Sequence, residues 1–228
     1  KQRRHYFLIM VKLLSYNIEY CRGYKGRLWE YLKFWKIFTA PKEISKEIAC
    51  ALKKVKPDIL AFTEISIGHV PDQQLSYFKK KLGMHYFIGR VKYPFHGFWK
   101  ILHHLPIVNK QGNALLSKKK LTDVHYKYFN LGTKRVVLQA TVHCPKKVTL
   151  LLVHLALGPR ARSKQIKELA GFVKKIKGPV MVLGDFNTLG GEKELKQFLK
   201  KTGLKLTFKG SKKTQPSYDP SRRLDYVL

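Results

Sequence analysis

Short apolar runs with the length of buried strands recur from one end of this chain to the other. They lie at residues 6–16, 58–63, 85–91, 114–117, 135–143, 148–157, 180–183 and 224–228. Apolar residues at helical spacing mark four segments between them, at 43–55, 72–82, 163–177 and 192–201. Because adjacent pairs of strands are mixed with helices, the pattern predicts layered sheets covered by helices and not a strict βαβ alternation. No linker rich in Ser, Gly or Pro divides the chain, so we predict one α/β domain over residues 1–228.

The balance of charged residues is strongly basic. Lys and Arg number 46 against 14 Asp and Glu, which gives a formal net charge of +32. A field of this sign attracts polyanions, so nucleic acid or an anionic membrane surface is the expected partner. A lysine-rich surface that is only solvated is the alternative. Hydrophobic residues make up 44% of the chain, which excludes a disordered tail, a collagen-like repeat and a coiled coil.

No segment of the sequence has the length of a membrane span. The longest N-terminal apolar run, residues 6–11, is too short for a signal peptide, and no run of about 18 apolar residues occurs elsewhere. Cys21, Cys50 and Cys144 have neither a CxxC pair nor a zinc-ligand spacing, and we predict reduced, buried thiols. A soluble, cytoplasmic monomer is expected.

Two segments differ from the rest of the chain. Gly26–Phe38 interleaves apolar residues and tryptophans with basic residues at helical spacing. It is either a core helix, which is the commoner case, or a basic helix that lies in a membrane interface. Residues 93–108 are irregular and rich in aromatic and histidine residues, and Tyr93, Phe95 and Trp99 are candidate substrate contacts there. The adjacent His103 and His104 lack metal-ligand spacing, which favours a contact loop over a metal site.

Acidic residues at the ends of apolar runs are informative in a chain with so few acids. Glu64, Asp185 and Asp225 occupy such positions, where burial of a carboxylate is costly unless something binds it. Asn17 follows the first run, and His154 comes directly after Thr149–Val153. Strand-end carboxylates with an Asn and a His are typical of a hard-metal site that binds phosphate groups.

These residues stand in motifs that resemble the endonuclease/exonuclease/phosphatase (DNase-I-like) superfamily. In chain order the motifs are Ser15-Tyr16-Asn17-Ile18, Pro57-Asp58-Ile59-Leu60-Ala61-Phe62-Thr63-Glu64, Gly112-Asn113-Ala114-Leu115-Leu116-Ser117, Val153-His154-Leu155, Gly184-Asp185-Phe186-Asn187 and Arg223-Leu224-Asp225-Tyr226-Val227. The Gly-Asp-Phe-Asn and Leu-Asp-Tyr motifs together are quite specific. Thr63 stands where the family usually has Gln. Arg160 and Gln165 resemble an Arg and Gln pair of many bacterial members.

The resemblance implies a four-layer α/β/β/α sandwich of two facing mixed β-sheets, with the site at one end of the sheets. It implies a divalent metal, Mg²⁺ or alternatively Mn²⁺, held by Glu64 with Asn17. Asp185 would orient or deprotonate the attacking water, Asn17 and Asn187 would hold the phosphate oxygens, and His154 would hydrogen-bond the scissile phosphate. Asn113 and Arg160 are further substrate-binding candidates.

Two further features depart from the family pattern. Asp225 orients a histidine of a later Ser-Asp-His motif in the family, and no such motif follows in this sequence. We therefore expect a further C-terminal strand and motif beyond Leu228. Glu19 lies two residues after Asn17, on the same face if the strand continues, and abasic-site endonucleases place an acidic metal ligand there.

The resemblance implies hydrolysis of phosphate esters by in-line attack of water. The basic charge and the aromatic residues favour a nuclease that acts on DNA or RNA. The alternatives are a membrane-associated phospholipid or sphingomyelin-type phosphodiesterase, an inositol-phosphate phosphatase, and a binder of nucleic acid that has lost catalysis.

Overall fold

Two mixed β-sheets face each other in the computed structural model, which describes residues 10–23, 42–67, 74–93, 111–132, 134–208, 213–215 and 219–228. The first sheet contains, in spatial order, β1 (Leu13–Asn17), β2 (Ile59–Ser66), β4 (Gln111–Ser117) and β3 (Tyr86–Val91). The second sheet contains β5 (Leu121–Tyr128), β6 (Val136–Cys144), β7 (Lys146–His154), β8 (Val180–Asp185) and β9 (Asp225–Val227). The β1–β2 and β7–β8 pairs are parallel, and the remaining neighbours are antiparallel.

Helices cover the outer face of each sheet. The amphipathic helices α1 (Lys42–Val55) and α2 (Gln74–Leu82) pack on the first sheet, where Leu52 and Phe78 join its outer apolar residues. On the second sheet, α3 (Pro159–Lys174) and α4 (Lys196–Thr202) bury Leu169 and Phe198 in the same way. A third apolar cluster lies between the two sheets. The predicted four-layer α/β/β/α sandwich is confirmed.

The layer between the sheets changes from apolar to polar toward one end. Residues two apart on a strand share a face. On six strands, the face that points into this layer carries an apolar core residue and, nearer to the end of the sandwich, a polar residue. These pairs are Leu13 and Asn17, Ile59 and Thr63, Leu115 and Asn113, Leu152 and His154, Leu183 and Asp185, and Val227 and Asp225. The register places Asn17 beside Thr63, and His154 beside Asp185 beside Asp225. The six polar residues therefore lie at the same end of the sandwich.

Several element boundaries differ from the predictions, among them that of the helix predicted at 192–201, which is a 3₁₀ helix over Glu192–Leu195 followed by α4. The first described strand begins at Leu13 rather than near residue 6, and residues 1–9 lie outside the described part. β5 was not predicted, because an exposed edge strand carries no continuous apolar run. α3 begins at Pro159 and not at Ser163, since Pro is favourable in the first helical turn, and it ends at Lys174, before Gly178.

Two further expectations concern cysteines and membranes. Cys21 is buried as predicted, whereas Cys50 is exposed on α1 because the buried face of that helix is formed by Ala49 and Leu52. No helix within the described residues is both long and apolar enough to cross a membrane.

Candidate active site

Hydrogen bonds join the two sheets at their polar end. The Asn17 side-chain amide donates to Oδ2 of Asp185 across 3.1 Å. The backbone N–H of Asn187 donates to Oδ1 of the same carboxylate at 2.9 Å, and the Asn187 side chain donates to the Leu155 carbonyl at 2.8 Å. Asn187 has a φ of +50°, which Asn adopts more readily than most residues. Both oxygens of Asp185 are thus fixed in direction.

Three nitrogen atoms surround one oxygen of Glu64. Oε1 lies 3.2 Å from Nζ of Lys92, 3.6 Å from Nζ of Lys134 and 3.8 Å from Nε2 of His154. Glu64 occupies an irregularity in the β2–β4 pairing and has a φ of +56°. This bulge in the ladder redirects the side chain relative to regular strand geometry. Glu64 therefore points into the same site as His154.

His154 links the two carboxylates. Its ring is fully buried, and Nε2 lies 3.4 Å from Oδ2 of Asp185 and 2.5 Å from Nζ of Lys134. Burial first, and then the charges of Lys92 and Lys134, hold the pKa of His154 well below its usual value. The imidazole is therefore neutral at pH 7. Its Nε2 accepts a hydrogen bond from the Lys134 ammonium, so the one ring proton lies on Nδ1.

The carboxyl groups at this end differ in protonation. Burial acts to raise the pKa of Glu64, but the charges of Lys92 and Lys134 outweigh it and the pKa is lowered. For Asp185 burial prevails, and its pKa is raised. Burial and the charge of Asp185 raise the pKa of Asp225 to about 7. Carboxyl groups with separated pKa values in one site are suited to different roles in acid–base chemistry.

Several buried polar atoms at this end have no hydrogen-bond partner among the described residues. They are both side-chain amide atoms of Asn113, Oγ1 of Thr63, Nδ1 of His154 and Oδ1 of Asp225. A buried polar group without a partner costs about 1–3 kcal/mol, so its presence calls for an explanation. Because these atoms share one end of the sandwich with the carboxylates, a polar ligand in the site would account for them.

The donor atoms fit a hard divalent cation. Asn17, Glu64 and Asp225 supply side-chain oxygens. The ion pairs of Glu64 with described residues all use Oε1, so Oε2 takes part in none of them. Oδ1 of Asp225 has no hydrogen-bond partner among the described residues. Within the described residues, no three His, Cys, Asp or Glu side chains are grouped closely enough to hold a metal by themselves. Mg²⁺ fits this set because it needs only one or two carboxylates and completes its shell with water and substrate phosphate.

A family model described as the endonuclease/exonuclease/phosphatase family matches residues 14–228. The chain belongs to this family. The family resemblance of the sequence motifs is therefore confirmed, and the protein is a hydrolase. Enzymes of the family generally use divalent metal ions. Curated protein sequences contain no match to the chain.

Several solved structures share the fold of this chain at low sequence identity. An endonuclease/exonuclease/phosphatase family protein from Bacteroides vulgatus is 15% identical and has a TM-score of 0.66, and the match covers 95% of this chain and 85% of that protein's chain. Sphingomyelinase C from Streptomyces griseocarneus is 19% identical with a TM-score of 0.63, covering 96% and 82%. D. rerio TDP2 in complex with a single-stranded DNA product is 17% identical with a TM-score of 0.56, covering 95% and 82%.

The structure of this family member brings together most of the predicted site residues. Asn17, Glu64, His154, Asp185 and Asn187 contact one another directly or through one shared neighbour. Asp225 pairs with Asp185 in the β8–β9 register, and Asn113 is fully buried on β4. The charge of Glu64 raises the pKa of Tyr93, after the larger effect of burial, which places Tyr93 close to the site. Phe95, Trp99 and Gly26–Phe38 lie outside the described residues.

The position of Glu19 was predicted for the wrong reason. β1 ends at Asn17, and Glu19–Cys21 form a 3₁₀ turn with φ values from +46° to +56°, so the same-face argument for an extended strand does not hold. The turn still brings Glu19 near Glu64. Burial first, and then the charge of Glu64, raise the pKa of Glu19 to about 7.

The Arg160 and Gln165 pair is divided between surface and core. Arg160 is exposed in the first turn of α3. Gln165 is buried and accepts the Ala156 N–H at 2.8 Å while it donates to the carbonyls of Leu131 at 2.8 Å and Lys134 at 3.2 Å. Gln165 therefore fixes the backbone that carries Lys134, and these bonds give it a positioning role.

Sequence reasoning missed Lys92 and Lys134. Lys92 is 1% exposed, and burial lowers its pKa to about 8 despite the neighbouring Glu64. Its ammonium also lies 4.9 Å from the centre of the Tyr20 ring. Among 46 Lys and Arg residues, no sequence signal separates these two from the solvated majority.

Proposed function

We propose that this hydrolase cleaves the phosphodiester bonds of DNA or RNA by in-line attack of water with Mg²⁺, or Mn²⁺, as cofactor. The observation that supports this proposal is the convergence of Glu64, His154 and Asp185 with two asparagines at one end of the facing sheets. Oxygen donors, fixed amides and a neutral imidazole are the groups that in-line phosphoryl transfer requires.

Asp185 acts on the attacking water. Its two oxygens are held by Asn17 and Asn187, so its remaining lone pairs have fixed directions. Its raised pKa brings it closer to neutrality, where a general base is most effective. The Asn17 and Asn187 amides fix the geometry between the carboxylate and the phosphate.

His154 and the two lysines act on the phosphate group. Lys134 donates to Nε2 of His154, so the neutral imidazole has its remaining N–H, on Nδ1, to offer to a non-bridging oxygen. The ammonium groups of Lys92 and Lys134 stabilise the charge that accumulates there. Glu64 and Asn17 would hold the divalent cation, with Asp225 beside them. The cation, when bound, neutralises charge on the phosphate oxygens.

Charge supports a polynucleotide as the substrate. A net charge of +32 attracts a phosphate backbone through the release of counterions, and no small phosphoester requires so many cations. D. rerio TDP2, which shares the fold, is known in complex with a single-stranded DNA product.

Phospholipid hydrolysis is the second candidate. Gly26–Phe38 has the tryptophan and lysine pattern of a helix at a membrane interface. Sphingomyelinase C shares the fold. A protein that binds nucleic acid without cleaving it is the third candidate, and the ordered Asp185 cluster argues against it.

The decisive experiment measures Mg²⁺-dependent cleavage of end-labelled single-stranded and double-stranded DNA and RNA, with sphingomyelin vesicles in parallel. Asp185→Asn tests the site, and Asp219→Asn, which makes the same change on the surface, is the matched control. We expect polymer cleavage that stops with EDTA and falls by about 10²–10⁴ in Asp185→Asn only. Cleavage of the vesicles alone would replace the proposal with the second candidate.

A further inference from the structure

A groove separates the open edges of the two sheets. β3 is an edge strand of the first sheet and β5 is an edge strand of the second. The groove between them encloses about 460 Å³ and is lined by Phe87–Arg90 of β3 and Val124–Tyr126 of β5. We call it the edge groove. Its volume lies in the range of ligand-binding sites, and none of the catalytic candidates lines it.

Aromatic rings are exposed along the edge groove. Phe87 is 48% exposed and Tyr126 is 45% exposed. Large aromatic side chains are normally buried, because each removes a large area of apolar surface from water. Exposed rings on rigid strands can stack with the bases of an unpaired nucleic acid strand, and every base offers a face for such stacking.

Cations accompany these rings. The Arg90 guanidinium lies 4.4 Å from the centre of the Tyr126 ring, and the Lys79 ammonium lies 4.5 Å from the centre of the Phe87 ring. The neighbouring acid, Asp123, is paired with Lys147 at 3.0 Å, so its charge is compensated. Each ring is thus accompanied by a cation, which matches a polymer in which each base is linked to a phosphate.

The edge groove leads to the proposed active site. β3 ends at Val91, and the next residue is Lys92, whose ammonium contacts Glu64. The Tyr128 hydroxyl donates to the Val91 carbonyl at 3.2 Å and joins the two edges at this point. A strand rises about 3.3 Å per residue, so the path from Lys92 back to Phe87 is about 17 Å long.

We propose that the edge groove binds single-stranded nucleic acid and guides one end of it to Lys92 and Glu64. The proposal rests on the proposed nuclease function and gives it a preference for unpaired strands of several nucleotides. The cations favour a polyanion in the groove, and the exposed rings favour a single strand, because a duplex would not present its base faces to Tyr126 and Phe87. A short oligonucleotide bound only at Glu64 would not reach these residues.

The test separates binding from cleavage. Fluorescence anisotropy with EDTA measures the affinity for labelled oligothymidylates of about 3 and about 12 nucleotides. Tyr126→Ala and Arg90→Ala are compared with Tyr126→Phe, which keeps the ring, and with Lys200→Ala, which removes a charge from the exposed face of α4. Hydrolysis of bis(p-nitrophenyl) phosphate is measured for each variant.

We expect Tyr126→Ala and Arg90→Ala to weaken binding of the longer oligonucleotide by about 10-fold and that of the shorter one little. Tyr126→Phe and Lys200→Ala should bind like the wild type, and the small substrate should be hydrolysed at unchanged rates. If all variants bound the longer oligonucleotide with equal affinity, the proposal that the edge groove binds nucleic acid would be wrong, and the proposed nuclease function would be unaffected. Oligonucleotide binding that depends on Tyr126, without any cleavage of polymers, would overturn the nuclease function instead.

Discussion

At the scale of single residues, the site combines acids that are held charged with acids that are held neutral. Glu64 stays ionised because Lys92 and Lys134 lie within 3.2 Å and 3.6 Å of it. No such cation acts on Asp225 among the described residues, and burial raises its pKa to about 7. Two carboxyl groups of similar intrinsic acidity therefore differ in protonation near pH 6, because the groups around them in space differ.

Asp225 makes stability depend on pH. Its pKa is about 7 in the folded protein against 3.8 ordinarily, so the folded state holds a proton that the unfolded state loses. The stabilising effect is complete below about pH 4 and is lost as the pH rises to about 7. We expect Asp225→Asn to unfold at a higher temperature than the wild type at pH 8 with EDTA, and to lose this advantage at pH 4. Asp219→Asn is the surface control, and equal shifts at both pH values would contradict the assignment.

Lys92 sets the acid limb of the pH–rate profile. Lys92→Met keeps the volume but removes a charge 3.2 Å from Glu64, so the pKa of Glu64 should rise. Lys92 also interacts with the charge of Asp185, and the proposed mechanism needs both carboxylates, so the acid limb should move to higher pH by about one unit. Rates measured from pH 4 to pH 9 check this, with the exposed Lys119→Met as control. An acid limb that stays at the same pH would show that Lys92 does not control the ionisation of Glu64.

At the scale of secondary-structure elements, the β7–β8 pair is the frame of the site. These strands are parallel, and their register places His154 directly beside Asp185. Gly184 precedes Asp185 with a φ of +129°, and a Cβ there would overlap the Val153 carbonyl oxygen. Glycine is therefore required for the close approach of the two strands.

Gly184→Ala should damage both folding and activity. The added methyl group requires β8 to move and places Ala in a strained conformation, which should lower the free energy of unfolding by about 2–4 kcal/mol. The matched control is Gly171→Ala in α3, where a Cβ meets no atom within 4 Å, and stability should rise by about 0.5–1 kcal/mol. Chemical denaturation of both variants measures the difference. A neutral Gly184→Ala would show that the strands separate easily.

At the scale of the whole molecule, charge is the dominant property. The net charge of +32 exceeds what one active site can use. Such a field speeds the encounter with polyanions and is screened by salt.

Polymer binding should therefore depend steeply on ionic strength. Several lysines that neutralise phosphates release counterions, and the affinity for a long oligonucleotide should fall by roughly 10³-fold between about 50 and about 200 mM salt. Hydrolysis of bis(p-nitrophenyl) phosphate should change little over the same range, because it involves only the site. Similar salt dependences for the two substrates would place the effect in the site and not in the basic surface.

The sequence by itself determined the layers and most of the site. Long apolar runs must be buried on both faces, which predicts layered sheets covered by helices, and a polar residue that ends such a run must lie at a sheet edge. The family resemblance implied that two such sheets face each other. Asn17, Glu64, His154, Asp185 and Asn187 were identified on this basis and on their family motifs.

Only the tertiary structure decided which basic residues lie in the site beside these side chains. Lys92 and Lys134 are distant from Glu64 in sequence and resemble the many solvated lysines around them. The 3₁₀ turn at Glu19 and the burial of Gln165 rather than Arg160 also depend on how segments meet. Periodicity reports which face of an element is buried, whereas the distance between charges is set by the packing of separate elements, and that distance determines the protonation of this site.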